Sequence, residues 1–215
     1  MKLKTVFICL FIVLTIAFVG HIPVKSFSAE SSDTAKSFRF AIYLTGKNLD
    51  TLVPTRDTNV PNGGTYSYSR IANLDQFTFP NTPIITDNDI KYYDWDNQNL
   101  ILTEAASERM FRKYGQHPIM EIMDIFVVTV DKKRLYAGVV SYRETAMALK
   151  LPIILPRNDK DVFILCIRPS TIYAAAPYPS KPEYRSRSAK EIALIENPDI
   201  KKVFSEMDKL IKENR

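Results

Sequence analysis

The sequence predicts an α+β fold, an antiparallel or mixed sheet with helices packed on one face, and three observations carry that prediction. Ile125-Phe126-Val127-Val128-Thr129-Val130 and Leu135-Tyr136-Ala137-Gly138-Val139-Val140 are β-rich runs joined by the short polar stretch Asp131 to Arg134, the pattern of a hairpin. Glu104 to Tyr114 has Thr103 placed to cap it, an acidic first turn, basic Arg109, Arg112 and Lys113, and Gly115 just past its end, the pattern of a helix. Asn197, Pro198 and Asp199 open a second helix in which Ile200, Val203, Phe204, Met207, Leu210 and Ile211 recur at spacings of three and four. Short amphipathic helices gain most of their stability by burying such a stripe, so both are expected on one face of a sheet built around Phe126 to Val140.

The elements follow in chain order. Val6 to Gly20 is uncharged and apolar over 15 residues, behind Lys2 and Lys4, and Ser26 and Ser28 place small residues for cleavage after Ser28. Residues 1–28 are therefore expected to be a signal peptide, with an uncleaved membrane anchor over Thr5 to Ile22 as the alternative. Residues 29–37 are small and polar and read as a flexible leader, and residues 38–215 as a single α+β domain. Phe38 to Leu44 alternates as a first strand ended by Gly46, Lys47 to Thr65 is a Pro- and Gly-bearing loop, and Tyr66 to Ile71 alternates as a half-exposed strand. Thr86 and Asp89 have capping-box spacing, which predicts a helical turn through Ile90 to Tyr93.

Asn99 to Leu102 is a short strand before the first helix, whose Ala106, Met110, Phe111 and Tyr114 share one side. After the hairpin, Arg143 to Leu149 predicts a helical turn before Pro152. Ile153 to Leu155 then leads through Asn158-Asp159-Lys160-Asp161 into the apolar strand Val162 to Ile167, a second hairpin. Pro169 to Arg187 is rich in Pro, Tyr and Ser and reads as an extended surface loop.

Charge excludes one class of partner. The chain carries 29 basic and 24 acidic residues, and three of the basic ones, Lys2, Lys4 and Lys25, belong to the leader. The remaining net charge of +2 predicts no nucleic acid partner. With 46% hydrophobic residues, 11 Tyr and 12 Phe, the chain has the material for a packed core.

Candidate sites are few. Cys9 lies within the apolar leader, and Cys166, amid Ile164, Leu165 and Ile167, reads as an inert core residue. Asp94 to Asn99 begins like a calcium loop but lacks the turn glycine and the closing acid, so a solvated turn with Trp95 at the core edge is expected, and no metal. His117 is a lone loop histidine, and Gly63-Gly64 lacks the setting of a phosphate loop. The pairs Asp87 with Asp94 and Glu104 with Glu108 are open to acid and base roles, but 24 acids offer many such pairs. No catalytic or cofactor-binding residue and no cofactor is assigned. Tyr173, Tyr178 and Tyr184, interleaved with Pro177, Pro179, Lys181, Pro182, Arg185 and Arg187, offer contacts for a glycan or envelope protein partner.

The order strand, Thr-capped helix, strand, turn, strand over Leu100 to Val140, with Phe126 to Asp131 leading to Arg134-Leu135-Tyr136-Ala137-Gly138, resembles the first periplasmic domain of the SecD translocation subunit and exported bacterial proteins with a similar module. The likeness covers about 60 residues and implies a ferredoxin-like βαββ module without catalysis, supplying no site residues. The function expected is therefore that of an exported envelope protein, a non-enzymatic binding or structural domain. An extracytoplasmic hydrolase using carboxylates and His117, and a membrane-anchored assembly factor, are the alternatives.

Overall fold

The computed structural model describes residues 38–49, 66–67, 71–114, 123–141, 149–160, 162–170, 185 and 188–211. They belong to the unit Ser37–Arg215. Its strands are β1 (Phe40–Asn48), β2 (Tyr66–Ser67), β3 (Ile85–Thr86), β4 (Ile90–Asp94), β5 (Asn99–Leu102), β6 (Asp124–Val130), β7 (Lys133–Val140), β8 (Leu149–Lys150), β9 (Ile153–Asp159), β10 (Val162–Arg168) and β11 (Leu210–Ile211). Among the described residues three short α-helices accompany them: α1 (Glu104–Tyr114), α2 (Ala189–Ile195) and α3 (Pro198–Glu206).

Nine strands form one curled mixed sheet in the order β11-β4-β5-β10-β9-β7-β6-β1-β3, and β2 pairs with β8 in a separate ribbon. Within the nine-stranded sheet neighbours are antiparallel except β7 with β9 and β11 with β4, and the β2–β8 pair is also parallel. The expected α+β class is corrected here. Strands hold about twice as many described residues as helices, and the protein is mostly β.

The ferredoxin-like βαββ arrangement is corrected with it. That arrangement places a single strand between the two joined by its helix, but β10, β9 and β7 all stand between β5 and β6. The later hairpin inserts because β10 pairs with β5 over Ile164↔Ile101 to Cys166↔Asn99.

The sheet is buried on both faces at its middle, which the expectation of one helix-covered face did not anticipate. Along β6, Phe126, Val128 and Val130 enter a cluster with Ala106 and Met110 of α1 and Ile200, Val203 and Phe204 of α3. Ile125 and Val127 enter a second cluster with Leu49, Ile71, Phe77, Leu149 and Leu151, which come from outside α1, α2 and α3. In the first cluster Phe204 sits 5.0 Å, centroid to centroid, from both Phe40 and Tyr93.

Local chemistry explains where elements stop. The β6–β7 turn puts Asp131 at φ 44° and Lys132 at φ 67°, the two left-handed residues of a type I′ hairpin. Gly46, at φ +70°, is a break in the β1–β6 register between Leu44 and Asn48, and β1 runs through it instead of ending there. Asp89 accepts from the backbone N–H (2.8 Å) and hydroxyl (2.9 Å) of Thr86, closing a 3₁₀ turn over Asp87–Asp89. Beyond it the backbone is extended: Ile90 pairs with Leu102, so the segment expected as a helical turn is strand β4.

The terminal helix is shorter than its apolar stripe. Asp208 N–H donates to the Ser205 carbonyl (3.2 Å) and Lys209 N–H to the Phe204 carbonyl (2.9 Å), with Asp208 at φ 54°. This Schellman closure ends α3 at Glu206. Leu210 and Ile211, read in sequence as helix, instead run parallel to Tyr93 and Asp94. The Lys209 ammonium locks the junction by donating to the carbonyls of Asp87 (2.6 Å) and Ile90 (2.7 Å).

Candidate functional site

Helix α1 carries two adjacent stripes. Ala106, Ser107 and Met110 are buried toward the sheet, while Glu104, Glu108 and Phe111, at spacings of four and three, run along the flank. The flank forms one wall of an open cleft of about 600 Å³. Asn158, Lys160 and Val162 at the β9–β10 turn line it too, buried Leu102 and Phe163 floor it, and Lys91 reaches it from β4.

The cleft exists because β5 leaves β10. Their pairing begins only at Ile164↔Ile101, and after Leu102 the chain turns into the helix. Thr103 makes that turn: its N–H donates to the Asp89 carbonyl (2.8 Å), and its hydroxyl accepts from Ala106 N–H (3.4 Å). The Phe163 N–H, past the end of the β5 ladder, donates instead to the buried Ser107 hydroxyl at 3.0 Å. Arg109 fixes the helix from its other side, 2.9 Å from Asp89 Oδ1 and 3.2 Å from the Ile84 carbonyl.

Two large apolar side chains stand at the cleft without cover: Phe111 is 45% exposed and Val162 38%. Glu104, Glu108, Lys91 and Lys160 surround them, and among the described residues none of the four is held in an ion pair. An apolar floor with charges of both signs outside any described ion pair is equipped to hold a ligand that is itself amphipathic and carries both signs.

Of the residues singled out from sequence, Glu104 and Glu108 are brought to this cleft. Asp87 and Asp94 are not brought together: Asp87 is buried before β4 and accepts from Arg39 N–H (2.9 Å), and Asp94 ends that strand. The Asp94 carboxylate is engaged by Asn97, from its backbone N–H (3.0 Å) and side-chain amide (2.9 Å), within the β4–β5 turn. Trp95 packs partly buried beside Tyr93. No three His, Cys, Asp or Glu side chains gather as metal ligands among the described residues.

Cys166 is buried, and burial pushes its thiol above the ordinary value, more than the charges of Arg168 and Arg157 draw it down. A protonated, buried thiol is a poor nucleophile. His117, Gly63, Gly64, the leader 1–28 and nearly all of Tyr173 to Arg187 lie outside the described residues; Arg185, which is described, pairs with Glu196 at 2.7 Å.

Sequence reasoning misplaced the two residues that distinguish the cleft. Phe111 was grouped with Ala106 and Met110, yet it follows Met110 by one position, about 100° around the helix, which carries it off the buried stripe. Val162 opens an apolar run that reads as a buried strand, but it is the first residue after a polar turn and lies beyond the β5 pairing. A second, smaller hollow beside Gly46 and Asp124 is bounded by Phe79, whose ring is stacked on Tyr43 and covered by the Arg134 guanidinium.

No family model, curated protein or solved structure matches the chain. No described helix is long and apolar enough to cross a membrane.

Proposed function

We propose that this chain is an exported bacterial envelope protein whose domain binds without catalysing, and that the α1–β10 cleft takes an extended peptide segment of a partner protein. The N-terminal Lys-flanked apolar stretch supports export. The observation that carries the binding reading is the exposure of Phe111 and Val162 on either side of a cleft with an apolar floor. Covering what remains exposed of these two side chains contributes about 3 kcal/mol, or about a hundredfold in affinity. Glu104 and Glu108 favour a basic residue in the ligand, and Lys91 and Lys160 an acidic one.

The test is selection of binders from a random peptide library displayed against the full chain. Selected sequences are expected to share an apolar residue flanked by opposite charges and to lose most of their affinity for Phe111→Ser. Binding indifferent to both Phe111→Ser and Glu108→Lys, or turnover of a bound peptide, overturns the proposal.

A further inference from the structure

The strand registers assemble a second apolar surface on the sheet face opposite the helices, one that owes nothing to the peptide reading. Directly opposed residues of an antiparallel pair share a face, so Tyr92↔Ile101, Ile101↔Ile164 and Ile164↔Arg157 make one continuous row across β4, β5, β10 and β9. Leu100, Leu102, Phe163 and Leu165 alternate with the row and enter the core beneath the helices, so the row looks the other way.

Tyr92 is 45% exposed, Arg157 is exposed, and Ile101 and Ile164 between them are half-buried. The row lies toward the β9–β10 turn end of these strands. Toward the opposite end Cys166 and Arg168 are buried, which closes the patch there. On β11, Ile211, 43% exposed and paired with Asp94, extends it past Tyr92.

We propose that this row is a contact between two copies of the chain, related by a two-fold axis parallel to the strands. Such an axis exchanges the left and right sides of the row. Ile101 then meets Ile164 of the second copy and Tyr92 meets its Arg157, each contact occurring twice.

This self-complementarity selects a second copy over other occupants. The aromatic ring at one end faces a guanidinium suited to stack on it, and the apolar pair falls on the axis. Sheets pack face to face with strands within about 30° of each other, which keeps the paired levels in step near the axis. The row spans three strand intervals, about 14 Å, so the contact lies at the small end of specific interfaces and the dimer is weak.

Sedimentation equilibrium of the full chain over a wide concentration range tests the proposal. A reversible monomer–dimer equilibrium is expected. Charge reversal by Arg157→Asp, at an exposed position outside the core, should weaken it about tenfold or more. Adding Tyr92→Arg to the same chain should restore it, because each copy then sets a guanidinium against the new carboxylate. Association through the apolar leader would ignore both substitutions. A monomer at every concentration, or a dimer unaffected by Arg157→Asp, or one that Tyr92→Arg does not rescue, overturns the proposal.

Discussion

The Phe126 ring lies across Gly138, its directly opposite partner in the β6–β7 hairpin, and fills the space that a side chain there would need. A Cβ at position 138 would overlap that ring and also the carbonyl oxygen of Pro152, where the chain enters β9. Val139 N–H donates to this same carbonyl at 3.0 Å, so the oxygen cannot retreat without breaking the join between β7 and β9. The parallel β7–β9 contact, only two residue pairs long, therefore depends on a glycine. Gly138→Ala is expected to destabilise the domain by about 1–3 kcal/mol, the usual cost of overpacking, despite the better strand propensity of alanine. Urea denaturation followed by tryptophan fluorescence measures it; an unchanged midpoint would show that Phe126 swings aside freely.

Ser107 is a buried hydroxyl of α1, and it substitutes for a strand. Its acceptance of the Phe163 N–H holds the helix on β10 where β5 has departed. Ser107→Ala leaves that donor buried without a partner and should cost about 1–3 kcal/mol. Ser107→Thr keeps the oxygen and should cost less. Amide hydrogen exchange at Phe163 is the specific readout: it should accelerate in Ser107→Ala beyond what the global loss of stability explains.

Much of the architecture was legible because it is written in local chemistry. The Asp131-Lys132 turn between two β-rich runs, the Thr103-capped helix and the Asn197-Pro198 start each appear where turn and cap chemistry put them. What sequence could not give was the order of strands. Nothing local to Val162–Arg168 says that it will pair with Asn99–Leu102, some sixty residues back, and that pairing turns an expected βαββ module into a mostly β sheet. The α3 stripe misled for a related reason. Leu210 and Ile211 continue the helical spacing, but their backbone is captured by β4, and Asp208 turns the chain to reach it. At the cleft, Glu104 and Glu108 were visible as carboxylates one turn apart, whereas the exposure of Phe111 and Val162 depends on the absence of a neighbour, which no spacing records.

Cys166 gives a pH-dependent prediction. Its folded-state thiol holds its proton more tightly than in the unfolded chain, because burial disfavours the thiolate. The stability this contributes is complete below the unfolded value of about 8.5 and is lost as pH rises from there toward the folded value, since the unfolded chain ionises first. Stability should accordingly fall on going from neutral to mildly alkaline pH, and Cys166→Ala, with no thiol to ionise, should fall less. Comparing the two urea midpoints at each pH checks the sign. Native protein should also resist alkylation at neutral pH until denaturant is added.

Asp208 marks the place where the fold tolerates a conformational cost in order to add β11. A non-glycine residue at φ 54° sits in the left-handed region, and the Schellman closure of α3 requires that region at this position. Among the described residues the Asp208 side chain makes no hydrogen bond, so its replacement removes strain without removing one. Asp208→Gly is expected to stabilise the domain by about 0.5–1 kcal/mol, the left-handed penalty outweighing the extra freedom glycine gives the unfolded chain. Asp208→Val, branched at Cβ, should do the reverse and also loosen β11, because the turn aims Lys209 at the Asp87 and Ile90 carbonyls. Thermal denaturation ranks the three proteins. An order with valine above glycine would mean that α3 does not end through this turn in solution, and that Leu210 and Ile211 continue the helix as their spacing suggests.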